Sequence, residues 1–381
     1  MQNKKKIFFW SPLLSHVGTI NAVEKSAYAL KKYLNYDVYL INVFGEFDHL
    51  QRNNNFNILN IFSLRNWPKT GLKSKFIIYL FTIFSIFKLN YYYKKYKPDL
   101  IISNLVGYLP NTLKFFYPEL NIANSIQGLP KFNLIRKIIW NIFYSKADYI
   151  FTMTEITKKN ILENINYKKK ILKIDNPIIS RRLRKLSMEN IDDNEERKIF
   201  NKTTFCSVGR LTKQKNFIEI VKAVNDIPRE FHSKFNVIIV GSGEDYKKIK
   251  KLIEKYKLIN IFLLGFKKNP YLYIKNSDYF ISSSLWEEPG HALLEAGYLN
   301  KLIISSNCPN GPRELLINNL NSIKYDLNNY KDLSQIINKI LNNKIKNQFQ
   351  LKLNMKKIVK NYTMFRFSKK LQGIIDQSSQ I

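Results

Sequence analysis

Cysteine is scarce in this chain. Two thiols, Cys206 and Cys308, in 381 residues exclude a disulfide framework and the paired spacing of a zinc knuckle, and they suit a reducing compartment. Histidine is also scarce, at four residues. His49, His232 and His291 are scattered, and the Asp192-Asp193 pair lies in a charged stretch rather than at a strand end, so no metal site emerges. Acidic side chains are outnumbered, 29 against 62 Lys and Arg, for a net charge of +33. Part of that is a bias toward Lys, Asn and Ile across the whole chain, as in Lys168-Lys169-Lys170. Such a surface attracts anions: lipid head groups, diphosphates or nucleic acid.

Long apolar runs are also missing. Phe76–Phe87 is uncharged and aromatic, with Lys73, Lys75 and Lys88 around it and Tyr91 to Lys97 after it. A helix needs about 20 residues to span a bilayer. Three readings compete: a helix buried between sheet and surface, a helix dipping into a membrane face, and a mis-sized span. The basic and aromatic flanks speak for the second. Met1–Trp10 has a basic start, but its apolar run is too short for a secretory signal and no small-residue cleavage site follows.

What is present is an alternation of short apolar runs and helical patterns. Hydrophobic content of 45% suits real cores, and the length suits two domains. In the first half, strands are expected at Ile7–Trp10, Asp37–Asn42, Pro98–Asn104, Asn121–Ile126 and, as the last of that domain, Asp148–Thr154. Ser11–Thr19, with His16, forms the first strand-to-helix loop, and Thr19 or Asn21 caps a helix over Ala22–Leu34. Asn133–Lys146 is a basic helical pattern, and Glu155 reads as a cap for the next helix. Ser180–Lys198 is highly charged and reads as a linker.

Six further strands follow at Thr204–Val208, Asn236–Val240, Asn260–Leu264, Asp278–Ser283, Leu302–Ser305 and Ser322–Tyr325. This argues parallel sheets with crossover helices, an α/β chain of two Rossmann-like domains over 1–180 and 181–355, with a C-terminal helix in 356–381. Gly241-Ser242-Gly243 is a short glycine turn, not the six-residue dinucleotide fingerprint, so no nicotinamide cofactor is supported.

Four loops of the second half carry chemistry. Gly209 lets the chain turn after a buried strand, and Arg210 and Lys215 offer a donor fork and a point charge to phosphates. Asn216 reads as the N-cap of Phe217–Val224. Ser282-Ser283-Ser284 opens an irregular loop through Glu287-Glu288-Pro289-Gly290, and a helix begins at His291. Its free N–H groups around Gly290, His291 and Ala292 would face an anion. Glu295 lies one turn on, so Glu287 and Glu295 can bracket one ligand. Two solvated cations and a chance Glu pair are the plain alternative.

Taken in order, Gly209-Arg210-x4-Lys215, Glu287 to Ala296 and Asn310-Gly311-Pro312-Arg313-Glu314 resemble the retaining glycosyltransferases of family 4, which have the GT-B fold. The resemblance implies two Rossmann-like domains facing across a cleft, with the C-terminal helix crossing back to the N-terminal domain. The N-terminal domain would take the acceptor and the C-terminal domain the nucleotide sugar. Arg210 and Lys215 would neutralise the donor diphosphate, Glu287 would lie beside the donor sugar, and Glu295 would hold the ribose. Gly290, His291, Ala292 and Leu293 would line the diphosphate and sugar. Gly18, Thr19, Gly209, Gly243, Gly265 and Phe266 would complete the donor site. Gln127 stands where relatives often have a histidine, so it takes a sugar-binding role. The family's usual Glu-Gly-Phe-Gly is here Glu287-Glu288-Pro289-Gly290.

The function expected is therefore transfer from a UDP- or GDP-sugar, without metal or other cofactor, to a saccharide or lipid-diphosphate-linked acceptor. Cell-surface polysaccharide synthesis (lipopolysaccharide, O-antigen or capsule) is the expected setting. The chain would be cytoplasmic, peripheral on an anionic membrane surface. A nucleotide-sugar epimerase or phosphorylase is the alternative on the same fold. Nucleic-acid binding, which +33 alone would suggest, has no recognition motif to support it.

Overall fold

The computed structural model describes residues 4–12, 18–51, 56–62 and 72–378, the side chains of 72–80, 82, 377 and 378 excepted. The loop reading at Leu13–Val17, which includes His16, lies outside the described residues, as do the side chains of Lys73, Lys75 and most of Phe76–Phe81. The chain divides into two units: Met1–Pro177 with Met364–Ile381, and Ile178–Thr363.

In the first unit the described residues form seven strands: β1 Lys6–Trp10, β2 Asp37–Asn42, β3 Asn57–Asn60, β4 Leu100–Ser103, β5 Ile122–Ile126, β6 Tyr149–Thr152 and β7 Lys170–Lys173. They lie parallel in the order β3-β2-β1-β4-β5-β6-β7. Central strands read as unbroken apolar runs because both faces are covered. Ile7 and Phe9 face the helices Gly18–Leu34 and Met364–Ser378. Phe8 and Trp10 face the opposite layer, where Leu89, Leu109 and Leu113 pack. That layer holds the helices Leu72–Tyr96 and Tyr108–Thr112. Beside them Leu134–Ile142 packs Trp140 against Ile150.

The strand expected last, Asp148–Thr154, is followed by β7. This edge strand was unread because lysine fills two of its four positions, and edges are commonly defended by charge. No described helix is long and apolar enough to cross a membrane.

The second unit holds β8 Thr203–Val208, β9 Phe235–Val240, β10 Ile261–Gly265, β11 Tyr279–Ser282, β12 Leu302–Ser306 and β13 Ile323–Tyr325. They too are parallel, in the order β10-β9-β8-β11-β12-β13. The order reverses between β8 and β11, so the loops leaving their carboxyl ends diverge and open a crevice.

The expected linker is structured. Ser180 and Asp193 cap short helices at Arg181–Leu186 and Asn194–Lys198, and Leu183 and Ile191 are buried. The aperiodic charge hid two helices of about a turn each. The C-terminal helical pattern is broken at Lys360–Tyr362: Gln348–Val359 belongs to the second unit and Met364–Ser378 to the first.

Candidate functional site

The loops after β8 and β9 lie on one another. The Gly209 N–H donates to the Val240 carbonyl (3.0 Å) and the Leu211 N–H to that of Ser242 (2.9 Å). A Cβ on Gly241 would sit 1.8 Å from the Gly209 carbonyl oxygen, and one on Gly243 would sit 2.4 Å from that of Leu211. Both positions demand glycine because backbone meets backbone there. The requirement at Gly243 is therefore a packing one. Gly265 ends β10 and accepts the Gly241 N–H (2.8 Å), while Phe266 is exposed.

Past Gly209 the chain leaves Arg210 in solvent, and its guanidinium makes no hydrogen bond or ion pair among the described residues. Lys215 turns the other way. Its Nζ ion-pairs with Glu287 Oε1, and the Ser284 hydroxyl donates to the same oxygen (2.8 Å). Further bonds stitch the β8 loop to the β11 loop. Ser283 Oγ donates to the Lys215 carbonyl (2.8 Å) and the Leu285 N–H to that of Gln214 (2.8 Å). Gln214 Nε2 donates to the Trp286 carbonyl (2.9 Å). Sequence reasoning had singled out the serine run but not these bonds.

Glu287 is 7% exposed, and its ion pair with Lys215 offsets the cost of burying it. Its carbonyl accepts the Gly311 N–H (3.0 Å), which seats the Asn310–Glu314 motif against the same loop. The Glu288–Pro289 peptide is cis. Lys215, Ser284, Glu287, Gly290 and Ala292 line a cavity of about 10 Å³, room for one water.

The helix His291–Tyr298 starts after Gly290, whose φ is +94°, and buries Leu293, Leu294 and Ala296. Each leucine contributes about 2 kcal/mol by that burial. The first N–H groups of a helix have no partner within it. Those of Ala292 and Leu293 lie in that first turn. One turn on, Glu295 is 8% exposed and accepts the Tyr271 hydroxyl (3.2 Å). Burial first, then the Glu295 charge, holds the Tyr271 phenol above its usual range, so it stays a donor. Nothing in the sequence signalled Tyr271.

Several expected local roles change. Asn216 does not cap by side chain; it adopts a left-handed conformation (φ 49°) and donates to Glu219 Oε2 (2.5 Å). Burial pushes the Cys206 thiol to about 12. Burial and then the Glu287 charge do the same to Cys308, so both cysteines are neutral core residues.

In the first unit, Gly18 is exposed and begins its helix; Thr19 and Asn21 lie inside that helix rather than capping it. Thr154, not Glu155, caps Glu155–Asn164, accepting the Thr157 N–H (3.1 Å). The Gln127 amide is committed to its own domain. It donates to Ser125 Oγ (2.7 Å) and Asn104 Oδ1 (3.2 Å) and accepts from Asn176 (2.8 Å).

Residues 189–361 match the family model described as glycosyl transferases group 1. Two uncharacterised glycosyltransferases of Methanocaldococcus jannaschii are similar. MJ1059 is 33% identical over 60% of each chain; MJ1069 is 28% identical over 95% of this chain and 98% of its own. A Campylobacter jejuni N-acetylgalactosamine-N,N'-diacetylbacillosaminyl-diphospho-undecaprenol 4-alpha-N-acetylgalactosaminyltransferase is 26% identical over 48% of each chain.

Among solved structures, a Rickettsia africae glycosyltransferase superposes with a TM-score of 0.79 at 19% identity, over 99% of each chain. Anabaena HepE in complex with UDP superposes with a TM-score of 0.73 at 16% identity, over 98% of this chain and 100% of its own. These likenesses establish the fold as GT-B.

Proposed function

We propose that this chain is a glycosyltransferase of group 1, whose family model its residues 189–361 match, and that it transfers a sugar from a nucleotide diphosphate to a saccharide or lipid-diphosphate-linked saccharide, with retention at the anomeric carbon. The observation that carries the reading is the stitching of the β8 loop to the β11 loop. It gathers Arg210, Lys215, Glu287 and the N-terminus of His291–Tyr298 around the reversal in strand order.

Within that reading the cations divide their work. Lys215 is engaged by Glu287, so that pair is close to neutral. Arg210 carries the unpaired charge and meets the leaving diphosphate. Fixed donors of this kind stabilise charge developing in the transition state without reorganising. The N–H groups of Ala292 and Leu293 add to it. Glu287 lies beside the sugar, and Glu295, oriented by Tyr271, takes the ribose hydroxyls. The first unit takes the acceptor, with Gln127 in a sugar-binding role. Charge on the leaving group is met by these residues without a metal.

A UDP-sugar is the favoured donor, by analogy with the UDP held by the Anabaena neighbour. A lipid-diphosphate acceptor in surface polysaccharide assembly is supported by the undecaprenol-linked substrate of the Campylobacter relative. Such an acceptor places the enzyme peripherally at the cytoplasmic face of the membrane.

The test is the Arg210→Ala enzyme. Its turnover, measured as sugar-dependent UDP release, should fall by roughly 10²–10³. Arg210 is solvent-exposed and unpaired, so thermal stability should not change. Turnover near that of the parent would overturn the assignment. Lys215→Ala is the poorer test, because it strands the buried Glu287 and destabilises the fold as well.

A further inference from the structure

One layer of the first unit presents apolar side chains outward in a way its fold does not use. On the helix Leu72–Tyr96, Ile83, Phe87 and Tyr91 recur every fourth residue with Phe84 beside them, and all four are exposed. On Leu134–Ile142 the same pattern returns: Leu134, Ile138 and Ile142 every fourth residue, with Ile135 beside them, again all exposed. A spacing of four is one stripe of a helix, so each helix has a dry face turned to solvent.

The two helices cover the same side of the sheet, the side of Phe8, Trp10 and Ile150. The short segment between them continues the surface. Tyr93 meets Tyr117 at a tilt (4.5 Å between centroids) and Phe115 meets Phe143 edge-on (6.3 Å), while Phe116 is exposed. The stretch is large: Phe87, Phe116 and Leu134 are 75%, 76% and 75% exposed. Contiguous patches of this kind mark interaction sites.

Charge selects the occupant. No Asp or Glu occurs between 72 and 98 or between 120 and 147, whereas Lys88, Lys94, Lys95, Arg136, Lys137 and Lys146 do. The acids next to these segments are engaged. Glu119 accepts from Tyr93, and Asp148 is paired with Lys114 and Lys169. Lys146 lies 5.4 Å over the Phe115 ring and Lys95 5.9 Å over that of Tyr91, so cations border the apolar stripe itself. Aromatic and aliphatic residues facing out, rimmed only by cations, match the interface of an anionic lipid leaflet.

We infer that the outer faces of Leu72–Tyr96 and Leu134–Ile142 form one docking surface for an anionic membrane. This gives the peripheral location proposed above a definite site. The sequence had offered only the first helix for it; Asn133–Lys146 read simply as a basic helical pattern. A lipid bilayer is favoured over a second copy of the chain, because two such cationic rims would repel.

The experiment is co-sedimentation of the whole protein with phosphatidylcholine vesicles, with and without phosphatidylglycerol. Binding should require the anionic lipid and fall with salt. Leu134→Glu with Ile138→Glu, and separately Phe87→Glu, should each lower the partition by on the order of tenfold. Ile259→Glu, at an exposed residue of the second unit, should not. All four side chains are exposed, so circular dichroism should report unchanged folding. Equal binding to neutral vesicles, or binding indifferent to these substitutions, overturns the inference. So does a dimer in light scattering that the same substitutions dissociate. UDP-sugar binding, followed by NMR on the same proteins, should be retained throughout, so loss of vesicle binding and failure of the donor-site reading are separable.

Discussion

The two units share one architecture and treat their strand ends differently. In the second unit the loops after β8, β9 and β11 are bonded to one another, often backbone to backbone. In the first, Gln127 ties its own loop to neighbouring strand ends through its side chain, and a Cβ added at Gly18 would meet nothing within 4 Å among the described residues. The second unit's strand-end loops are thus held largely by fixed backbone, and the Gln127 loop of the first by side chains that substitution can replace.

The sharpest way to break that contrast is a single methyl group. Gly241→Ala puts a carbon against the Gly209 carbonyl at a φ of +147°. It should cost about 3 kcal/mol or more and lower the Tm of the second unit, read by calorimetry. A small loss there would mean the loops are not rigid.

A middle-sized effect distinguishes the units by pH. Glu46 of the first unit is fully buried behind β2, its carboxylate accepting the Val43 and Phe44 N–H groups (3.0 and 2.7 Å). Burial outweighs those bonds and pushes its pKa up to about 8. An acid with a raised folded pKa keeps its proton in the fold after the unfolded chain has lost it. The first unit should therefore lose stability as pH rises from about 4.5 to about 8. Glu46→Gln should flatten that slope in urea titrations, and an unchanged slope would assign it to other groups.

The smallest expected effect completes the comparison. Gly18→Ala meets nothing within 4 Å. Stability should change by no more than about 0.5 kcal/mol in the same calorimetry. A large loss would show that the first unit's strand ends are as tightly fitted as the second's.

What was legible in the sequence follows the same division. All six strands of the second unit were readable within a residue or two, because Val237–Val240 or Leu302–Ser305 are apolar, β-branched and bounded by turns. The motif loops were readable because Gly209, Glu287 and Gly311 sit in the motifs on which the family resemblance rests. Their mutual bonding was not, since Ser283 to Lys215 and Tyr271 to Glu295 join residues 68 and 24 positions apart. The edge strand β7 and the helices around Leu183 were hidden by lysine and arginine. Their few buried side chains are too sparse to show a period.

The helix Met364–Ser378 has one more consequence. It supplies Met364, Phe367, Leu371 and Ile375 to the core of the first unit, and Lys370 pairs with Asp175 (2.6 Å). During synthesis those residues emerge after the whole of Ile178–Thr363. The second unit, whose two ends meet where the Ile179 N–H donates to the Tyr362 carbonyl (2.9 Å), has its complete set of core residues first. The usual order, in which the N-terminal domain folds first on the ribosome, is thus inverted. The nascent first unit waits with one face of its sheet partly uncovered, and a chaperone that recognises exposed apolar surface would find it there.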